Sequence, residues 1–453
     1  MLAVAKNDKQ VIVGLGLTGL SCARYLSRKQ HFFSVVDSRV NPPGLDIFRK
    51  EFPAVAISLG EISDDDLQHA SRLLVSPGIG LDQPAIAKAI ESGIVVCGDI
   101  DLFCEEANAP IVAITGSNGK TTVTTLVGMM VERCGKSVAV GGNIGVPALD
   151  LLSEQEPDIY VLELSSFQLE RANILGFEVA TVLNISADHM DRYPDLLTYC
   201  EAKHRIFRGC KKIVVNRADP LTLPLLTEDA DVVSFGLDRP ELNGFGLIDV
   251  DGIEFLAYQL EPLIAVNELK IVGRHNIENA LAAMALGFSM GLELSLMSEV
   301  LKEFSGLAHR CQLVGERQQV KYYNDSKGTN VGAAVAAVEG LSATARKVIL
   351  IAGGDAKGAD FSPLLPVLKQ FVGAVVVIGE ASDQFVKLCG DEIAVARANS
   401  MEQAVAEAAM LAQSGDAVLL SPACASFDMF DNYQHRGDVF CAAVSRLIAR
   451  GDS

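Results

Sequence analysis

Residues 114–122, ITGSNGKTT, follow the apolar run PIVAI and have the residue types of a phosphate-binding loop. The spacing G-x-x-G-K-T is shorter than the usual G-x-x-x-x-G-K-[ST], because Ile114 stands where the longer loop has its first glycine. Lysine in such a loop reaches β- and γ-phosphate oxygens, the following hydroxyl can ligate Mg²⁺, and amides at a helix start hold the anion. We therefore predict an ATP phosphate site at Gly116, Ser117, Asn118, Gly119, Lys120, Thr121 and Thr122.

A second glycine-rich turn lies earlier in the chain, within VIVGLGLTGLSCARYL. Gly14, Gly16 and Gly19 have the G-x-G-x-x-G spacing of a dinucleotide-binding turn, and Asp37 ends the next apolar run. Glycines let backbone amides approach a pyrophosphate, and the acid can accept a hydrogen bond from a ligand hydroxyl or imide N–H. On this motif, NAD, another nucleotide diphosphate and a tight turn without ligand all remain open.

Three further polar residues follow the phosphate-binding loop. Glu163 ends the apolar run of YVLEL, where an acid can hold Mg²⁺, although a lone acid at a strand end is common. His189 falls in the loop NISADHMDRYP at the same predicted sheet edge, where a hydrogen-bonded loop histidine is the commoner case. Lys203, in CEAKHRIF, has the pattern of a surface lysine on a helix.

The elements that must position these residues are short apolar strands alternating with helical patterns, as in parallel sheets covered by helices. Helices are predicted at Gly19–Arg28, from Lys120, and after Asn276. Late in the chain, KVILIAGG, AVVVIG and AVLLSPA are β-rich. The other predicted strands are Gln10–Val13, Phe33–Asp37, Leu73–Val75, Ile94–Val96, Ile111–Thr115, Ile159–Leu164, Thr181–Ile185 and Lys212–Val215.

This rhythm predicts an α/β protein with three α/β domains in series. We expect a Rossmann-like N-terminal domain over residues 1–98. A central P-loop ATPase-like domain with a mostly parallel sheet would span residues 99–306, and a Rossmann-like C-terminal domain residues 307–453.

The charge and cysteine content of the sequence limit the kinds of molecule that the protein can bind. A net charge of −19 argues against a nucleic acid or an anionic membrane, so phosphate ligands must be held by local amides and cations. The ten cysteines include no C-x-x-C, which favours free thiols over zinc sites or disulfides. No signal peptide or spanning segment is predicted. We expect a soluble, cytoplasmic monomer that acts on small molecules.

Together the motifs resemble the Mur ligases of peptidoglycan synthesis over nearly the whole chain. The resemblance is carried by TGSNGKTT, GGNIG (141–145), LELSSFQLE, NISADHMDRYP, EAKHRIF, GRHNIEN, NDSKGTN and GGDAKGADFSPL. The block LSPACASFDMFDNYQHRGDVF and the DSR loop at 37–39 are most similar to those of family members that add D-glutamate to UDP-N-acetylmuramoyl-L-alanine. Ala308 and Gly328 depart from the family pattern, where Pro and Ala are usual.

The resemblance implies that the first glycine motif holds UDP, not NAD, and that the second loop holds ATP. ATP would phosphorylate a substrate carboxylate, and the amine of D-glutamate would attack the acyl phosphate. The C-terminal domain would bind the amino acid and close on ATP across a hinge near residues 304–308.

It also implies site residues. The catalytic set is Lys120, Asn143, Glu163, His189 and Lys203. Beyond the loop, ATP would contact Asn276, Asn279, Arg310 and Asp325, although helix capping could explain Asn276. The UDP substrate would contact Gly14, Leu17, Thr18, Asp37, Ser38, Arg39, Gly78, Asn143 and Ser165. D-Glutamate would contact Thr329, Lys357, Ser426, Phe427 and Tyr433.

Two Mg²⁺ ions are implied, one held by Thr121 and Glu163 and the other by His189 and Lys203. A lysine ammonium cannot ligate a cation. In the family this lysine carries a carbamate derived from CO₂, which changes its charge from positive to negative and supplies oxygen ligands.

Three other interpretations make different predictions. A folylpolyglutamate synthetase also adds glutamate with ATP but would not bind UDP. A dehydrogenase would bind NAD and release no phosphate from ATP. A nucleotide-gated binding protein would bind ATP and release no phosphate when both other substrates are present.

Overall fold

The computed structural model describes residues 9–225, 230–342 and 344–449. Residues 1–8 and 450–453, the outer ends of the predicted first and last domains, lie outside the described residues. Three β-sheets follow one another along the chain, each flanked by helices, so the predicted α/β fold class is confirmed. In the described part of the chain, no helix is long and apolar enough to cross a bilayer.

The first domain is built on a five-stranded parallel sheet with strand order β3-β2-β1-β4-β5. Its first turn is tight, because a Cβ at Gly19 would lie 2.0 Å from the carbonyl oxygen of Gly14. Only glycine fits there. The strands are β1 Gln10–Val13, β2 Phe33–Asp37, β3 Ile57–Leu59, β4 Arg72–Val75 and β5 Val95–Cys97. The helices are α1 Leu17–Arg28, α2 Leu45–Glu51, α3 Asp64–Leu67 and α4 Pro84–Glu91, and α5 Asp99–Glu106 leads onward.

The central domain holds a nine-stranded sheet with order β14-β13-β12-β11-β10-β9-β6-β8-β7. Its strands pair in parallel except for the β12–β13 and β13–β14 pairs, which are antiparallel hairpins at one edge. The strands are β6 Ile111–Thr115, β7 Val138–Gly142, β8 Ile159–Glu163, β9 Val179–Val182, β10 Lys212–Asn216, β11 Asp231–Phe235, β12 Gly244–Val250, β13 Ile253–Tyr258 and β14 Glu261–Ala265. The helices are α6 Lys120–Arg133, α7 Ser166–Arg171, α8 Leu196–His204, α9 Arg274–Ser289 and α10 Leu294–Glu303.

The third domain contains a six-stranded sheet with order β15-β16-β20-β17-β18-β19, parallel apart from the β15–β16 hairpin. Its two middle strands, β20 and β17, are fully buried apolar runs, as expected for a sheet covered on both faces. The strands are β15 Gln312–Arg317, β16 Val320–Asn324, β17 Val348–Gly353, β18 Val372–Ile378, β19 Ala394–Arg397 and β20 Ala417–Leu420. The helices are α11 Val331–Ser342, α12 Leu365–Phe371, α13 Ser382–Cys389, α14 Met401–Leu411 and α15 Tyr433–Ala449.

One predicted strand, Thr181–Ile185, is wrongly placed, since β9 begins at Val179 and ends at Val182. Beyond that point the backbone bonds the phosphate-binding loop: the Leu183 N–H donates to Thr115 O and Asn184 O accepts from Ser117 N. Leu183 and Asn184 therefore hold the phosphate-binding loop in place, and residues 183–185 are not part of strand β9. The domain boundaries, after residues 98 and 306, remain a prediction. Each falls in a connection between a helix and a strand.

The junctions between the domains differ in kind. One continuous apolar core includes side chains of the first domain, such as Leu26 and Val35, and of the central domain, such as Leu162 and Phe177. Helix α5 lies within this core. The apolar cores of the third domain are separate clusters. A large apolar interface resists relative motion, whereas a polar one permits it.

A buried arginine organises the third domain. Arg436, on α15, is 1% exposed, and burial lowers the pKa of its guanidinium to about 10. It donates to the side chain and carbonyl of Ser326 and to the carbonyls of Cys424 and Ala425. Arg436 therefore joins the loop after β16 to the loop after β20, and both loops line the cavity described below.

We expect Arg436→Met to lower the free energy of unfolding of the third domain by about 3 kcal/mol, since hydrogen bonds to charged groups contribute 1.5–3 kcal/mol and the carbonyls lose their donor. Differential scanning calorimetry measures the change. Arg446→Met is the matched control, because Arg446 lies on the same helix but is exposed and pairs with Glu402 at 3.7 Å. Equal effects of the two variants would contradict the assigned role.

Candidate active site

The phosphate-binding loop connects β6 to α6, which begins at Lys120 as predicted. Gly119 has φ +81°, a left-handed conformation that favours glycine, and a Cβ there would lie 2.3 Å from Asn279 Oδ1. Lys120 Nζ donates to the carbonyls of Gly116 at 2.7 Å and Ser117 at 2.9 Å. Burial lowers the pKa of Lys120. The loop thus presents a desolvated cation and free helix-start amides to an incoming anion.

Glu163 lies beside the loop at the end of β8 and is 3% exposed. Its two carboxylate oxygens accept from Thr121 Oγ1 at 2.7 Å and from Asn143 Nδ2 at 2.8 Å. Arg310, from the connection between α10 and β15, donates to the same threonine hydroxyl. The structure therefore brings these four predicted residues into direct contact, with one of them supplied by the far side of the predicted hinge.

Lys203 is 1% exposed, so its interpretation from sequence as a surface helix lysine is wrong. The last turn of α8 runs beneath the phosphate-binding loop, and Lys203 Nζ donates to Gly116 O at 2.9 Å. One turn earlier, the Tyr199 ring lies 4.6 Å from this nitrogen. Burial first, and the nearby Lys120 second, lower the pKa of Lys203 well below its usual value. Its amine is therefore readily neutral.

His189 lines the same cavity from the loop after β9. It has φ +58°, and its ring packs edge-on against Phe167 with centroids 4.8 Å apart. Burial lowers the pKa of His189, which favours the neutral imidazole that a metal ligand must be. Within the described residues, no group of three or more His, Cys, Asp or Glu converges as a ready-made metal site.

The cavity around these residues has a volume of about 510 Å³ and opens between the central and third domains. All five residues predicted for D-glutamate line it. Lys357 has φ +46°, its N–H donates to Asp355 at 3.0 Å, and its ammonium lies 6.0 Å from the Phe427 ring centroid. The Phe427 side chain is exposed to this opening.

A second cavity, of about 610 Å³, lies between the first and central domains. All nine residues predicted for the UDP substrate line it. Asp37 is buried and accepts from the Leu15 N–H at 2.7 Å and from the Arg39 guanidinium. Burial alone would raise the pKa of Asp37, but these bonds lower it overall, so the carboxylate remains ionised. Asn143, Ser165 and Phe167 line both large cavities, which therefore meet.

A third, small cavity of about 90 Å³ adjoins the loop on the other side, and it is lined by Asn276, Asn279, Arg310 and Asp325. Helix α9 begins at Arg274, so Asn276 is not its capping residue, and its side chain donates back to Val272 O at 2.8 Å. Burial raises the pKa of Asp325 to about 7, and Ser421 Oγ donates to it at 2.7 Å.

Sequence reasoning missed several residues of the site. Lys327 is half-buried with Nζ 4.2 Å from the Tyr433 ring centroid, and desolvation, with Arg310 and Lys120 nearby, lowers its pKa to about 8. Asn330 donates to Asn118 and Asp188. Both residues lie in the motif NDSKGTN. Membership of that motif could have identified them, but their residue types alone gave no reason to select them.

Comparison with known proteins identifies the family. Sequence models described as the Mur ligase MurD-like N-terminal domain, the Mur ligase middle domain and the Mur ligase glutamate ligase domain match residues 8–98, 114–287 and 309–424. The UDP-N-acetylmuramoylalanine–D-glutamate ligase of Pseudomonas aeruginosa is 53% identical, covering 99% of this chain and 100% of the relative. The same-named ligase of Marinobacter nauticus is 50% identical, covering 99% and 100%.

Solved structures agree in fold. The MurF ligase of Thermotoga maritima in complex with ADP has a TM-score of 0.62 at 16% identity, covering 100% of this chain and 98% of its own. The UDP-N-acetylmuramate–alanine ligase MurC of the same organism has a TM-score of 0.59 at 19% identity, covering 98% and 99%. With three domain models matched in order and full-length relatives at half identity, the chain belongs to the Mur ligase family.

Proposed function

We propose that the protein is an ATP-dependent ligase that joins D-glutamate to UDP-N-acetylmuramoyl-L-alanine, releasing ADP and phosphate, in the synthesis of peptidoglycan precursors. The observation that carries the proposal is that the main cavity adjoins both of the other two cavities. The large cavities share Asn143, and the small cavity shares Asn118, Gly119 and Arg310 with the main one. Three substrates can therefore present their reacting ends together. The full-length relatives bear the name of this activity.

Each domain would bind one substrate. The first domain, over residues 1–98, would hold uridine and pyrophosphate through Asp37, Arg39 and the amides of the Gly14 turn. The central domain, residues 99–306, would hold ATP, with its adenosine near Asn276 and Asn279. The third domain, residues 307–453, would bind D-glutamate and close on ATP through Arg310 and Asp325. ATP as substrate and ten free cysteines favour the cytoplasm as its location.

The first step of the proposed reaction brings two anions together, the substrate carboxylate and the γ-phosphate of ATP. A carboxylate oxygen of the L-alanyl substrate attacks the γ-phosphorus, the bond to the β-phosphate oxygen breaks, and ADP leaves. The D-glutamate amine then attacks the acyl carbon, loses a proton, and expels phosphate to form the amide. Lys120, Arg310 and the loop amides would offset the repulsion between carboxylate and phosphate, because their charges act in a desolvated site.

The chain offers oxygen donors for Mg²⁺ beside the loop. The Thr121 hydroxyl and the Glu163 carboxylate already lie in hydrogen-bond contact, and Mg²⁺ prefers oxygen ligands. When bound there, the ion supplies positive charge to the phosphate oxygens. A second ion would need an anionic partner for the neutral His189, and a protonated Lys203 does not fit that role.

We further propose that Lys203 carries a carbamate. Its burial favours the neutral amine, which can attack the carbon of CO₂ and lose a proton to give a carbamate anion. The modified side chain would supply carboxylate-like oxygens near His189. This reverses the charge of one of four basic side chains, Lys120, Lys203, Arg310 and Lys327, that line the same cavity.

The proposed activity is tested by phosphate release from ATP. Release should require UDP-N-acetylmuramoyl-L-alanine and D-glutamate, and L-glutamate should not replace the D-isomer. Lys120→Ala should abolish release but leave the dissociation constant of the UDP substrate, measured by calorimetry, nearly unchanged, because the two sites lie on different domains. Lys136→Ala, an exposed lysine beyond the far end of α6, is the control. Release with ATP alone, or NAD binding, would contradict the proposal.

Lys203→Ala should be nearly inactive, because the proposed carbamate oxygens are lost. A short carboxylic acid such as acetate should restore part of its rate by placing a carboxylate in the space left, whereas Lys203→Arg should not respond, since its cation fills that space. Lys211→Ala, whose lysine pairs with Glu178, serves as the control. Near-parental activity of Lys203→Ala without added acid would rule the carbamate out.

Lys357→Ala should raise the KM for D-glutamate about tenfold while changing the KM for ATP little, since a charge-assisted bond to a carboxylate is lost. Steady-state kinetics with each substrate varied in turn measures the difference. Lys369→Ala, in the same domain but paired with Glu392, is the matched control. Equal changes in both KM values would show that Lys357 contacts phosphate instead.

A further inference from the structure

Residues 186–193, which we call the His189 loop, contact all three domains. The loop itself belongs to the central domain and follows β9. It carries a proposed metal ligand at its middle, in a left-handed backbone conformation with φ +58°. A non-glycine residue in that conformation is strained, and it persists only where its surroundings hold it in place.

Arg192 holds the loop against the first domain. Its guanidinium donates to the carbonyls of Gly78 and Ile79, each at 3.1 Å. Both acceptors lie in the turn after β4 that lines the proposed UDP cavity. A planar guanidinium can bond two adjacent carbonyls at once, so the contact fixes orientation as well as distance.

Within the central domain, the loop wraps around one aromatic ring. The Arg192 guanidinium lies 4.8 Å from the centroid of Phe167, and the His189 ring lies 4.8 Å from the same centroid. Tyr193 stacks on Phe167 at 5.7 Å. A displacement of Arg192 would therefore be transmitted to His189 through a shared contact.

Asn330 holds the loop against the third domain. Its side-chain amide donates to Asp188 Oδ2 at 3.2 Å and to Asn118 Oδ1 in the phosphate-binding loop at 3.1 Å. Its oxygen accepts from the Ala333 N–H at 2.8 Å, so the side chain is anchored at the start of α11. Asp188 directly precedes His189 in sequence.

We propose that Arg192 and Asn330 are positioning residues for the ligation, holding the His189 loop from opposite sides. His189 then takes its working position only when the turn at Gly78 and the third domain are both docked. The expected effect on the ligation rests on the proposed function. The coupling between the first and third domains through the His189 loop rests on the contacts alone. Neither side chain needs to touch a substrate in this role.

Two conservative variants test the kinetic consequence. Arg192→Lys keeps the charge but loses the two-carbonyl fork, and Asn330→Ser keeps an oxygen that can cap α11 but is too short to reach Asp188. Each should lower kcat about tenfold, since small misplacements of catalytic groups cost that much or more. Asn330→Ser should leave the calorimetric dissociation constant of the UDP substrate unchanged. Arg133→Lys, which loses only contacts to Glu299 and Glu303, is the control.

The double variant should have the kcat of the worse single variant, because both changes release the same loop. Multiplied effects would show two independent contacts and overturn the proposal, as would an unchanged kcat in Arg192→Lys.

Hydrogen exchange tests the coupling without turnover. UDP-N-acetylmuramoyl-L-alanine should slow amide exchange of residues 327–333 in the parent, and Arg192→Lys should remove this effect while the first domain stays protected. If the parent binds the UDP substrate and shows this protection but releases no phosphate, the proposed function fails and the coupling stands. Equal protection of residues 327–333 in parent and variant overturns the coupling.

Discussion

Four basic side chains, Lys120, Lys203, Arg310 and Lys327, are crowded around one cavity, and the rest of the site depends on that crowding. Burial lowers the pKa of all four, and neighbouring cations lower those of Lys203 and Lys327 further. Glu163 and Asp188 compensate only part of this charge. In a chain of net charge −19, these basic side chains therefore create a local attraction for phosphates and carboxylates. Anionic substrates complete the charge balance that the protein leaves open.

The two junctions around this volume differ in the chemistry of their contacts. The first and central domains share an apolar core. The third domain meets the phosphate-binding loop through polar side chains such as Arg310 and Asn330. Polar contacts exchange with water at small net cost, whereas opening an apolar core exposes surface to water. The first two domains are thus joined by an apolar core, and the third domain meets the phosphate-binding loop through polar contacts.

Much of this organisation could be predicted from sequence, because strands that are buried on both faces are continuous apolar runs. The strands Gln10–Val13, Phe33–Asp37 and Ile111–Thr115 begin and end where the runs do, and glycine spacing located both binding turns. Burial of charged residues could not be predicted in this way. Lys203 has the local pattern of a surface lysine, and only the packing of α8 beneath a loop distant in sequence buries it.

Arg436 and Asn330 illustrate the same limit. Their partners lie in loops that become neighbours only when separate strands assemble into a sheet, so neither periodicity nor spacing identifies them. The strand predicted at Thr181–Ile185 failed for a related reason. Its last residues are apolar enough for a strand, but their backbone groups support the phosphate-binding loop.

The core shared by the first two domains has a consequence for substrate choice. Because that junction is stiff, the span from the Asp37 pocket to the Lys120 loop is a constant of the molecule. A ligand that is anchored at one end by its nucleotide is therefore selected by the distance between that nucleotide and its carboxylate. A molecule whose carboxylate is carried too near or too far along the sugar and peptide stem cannot reach the phosphate, however well its nucleotide fits. The distance between nucleotide and carboxylate, more than contacts to the amino acid that bears the carboxylate, would decide which nucleotide substrate is accepted.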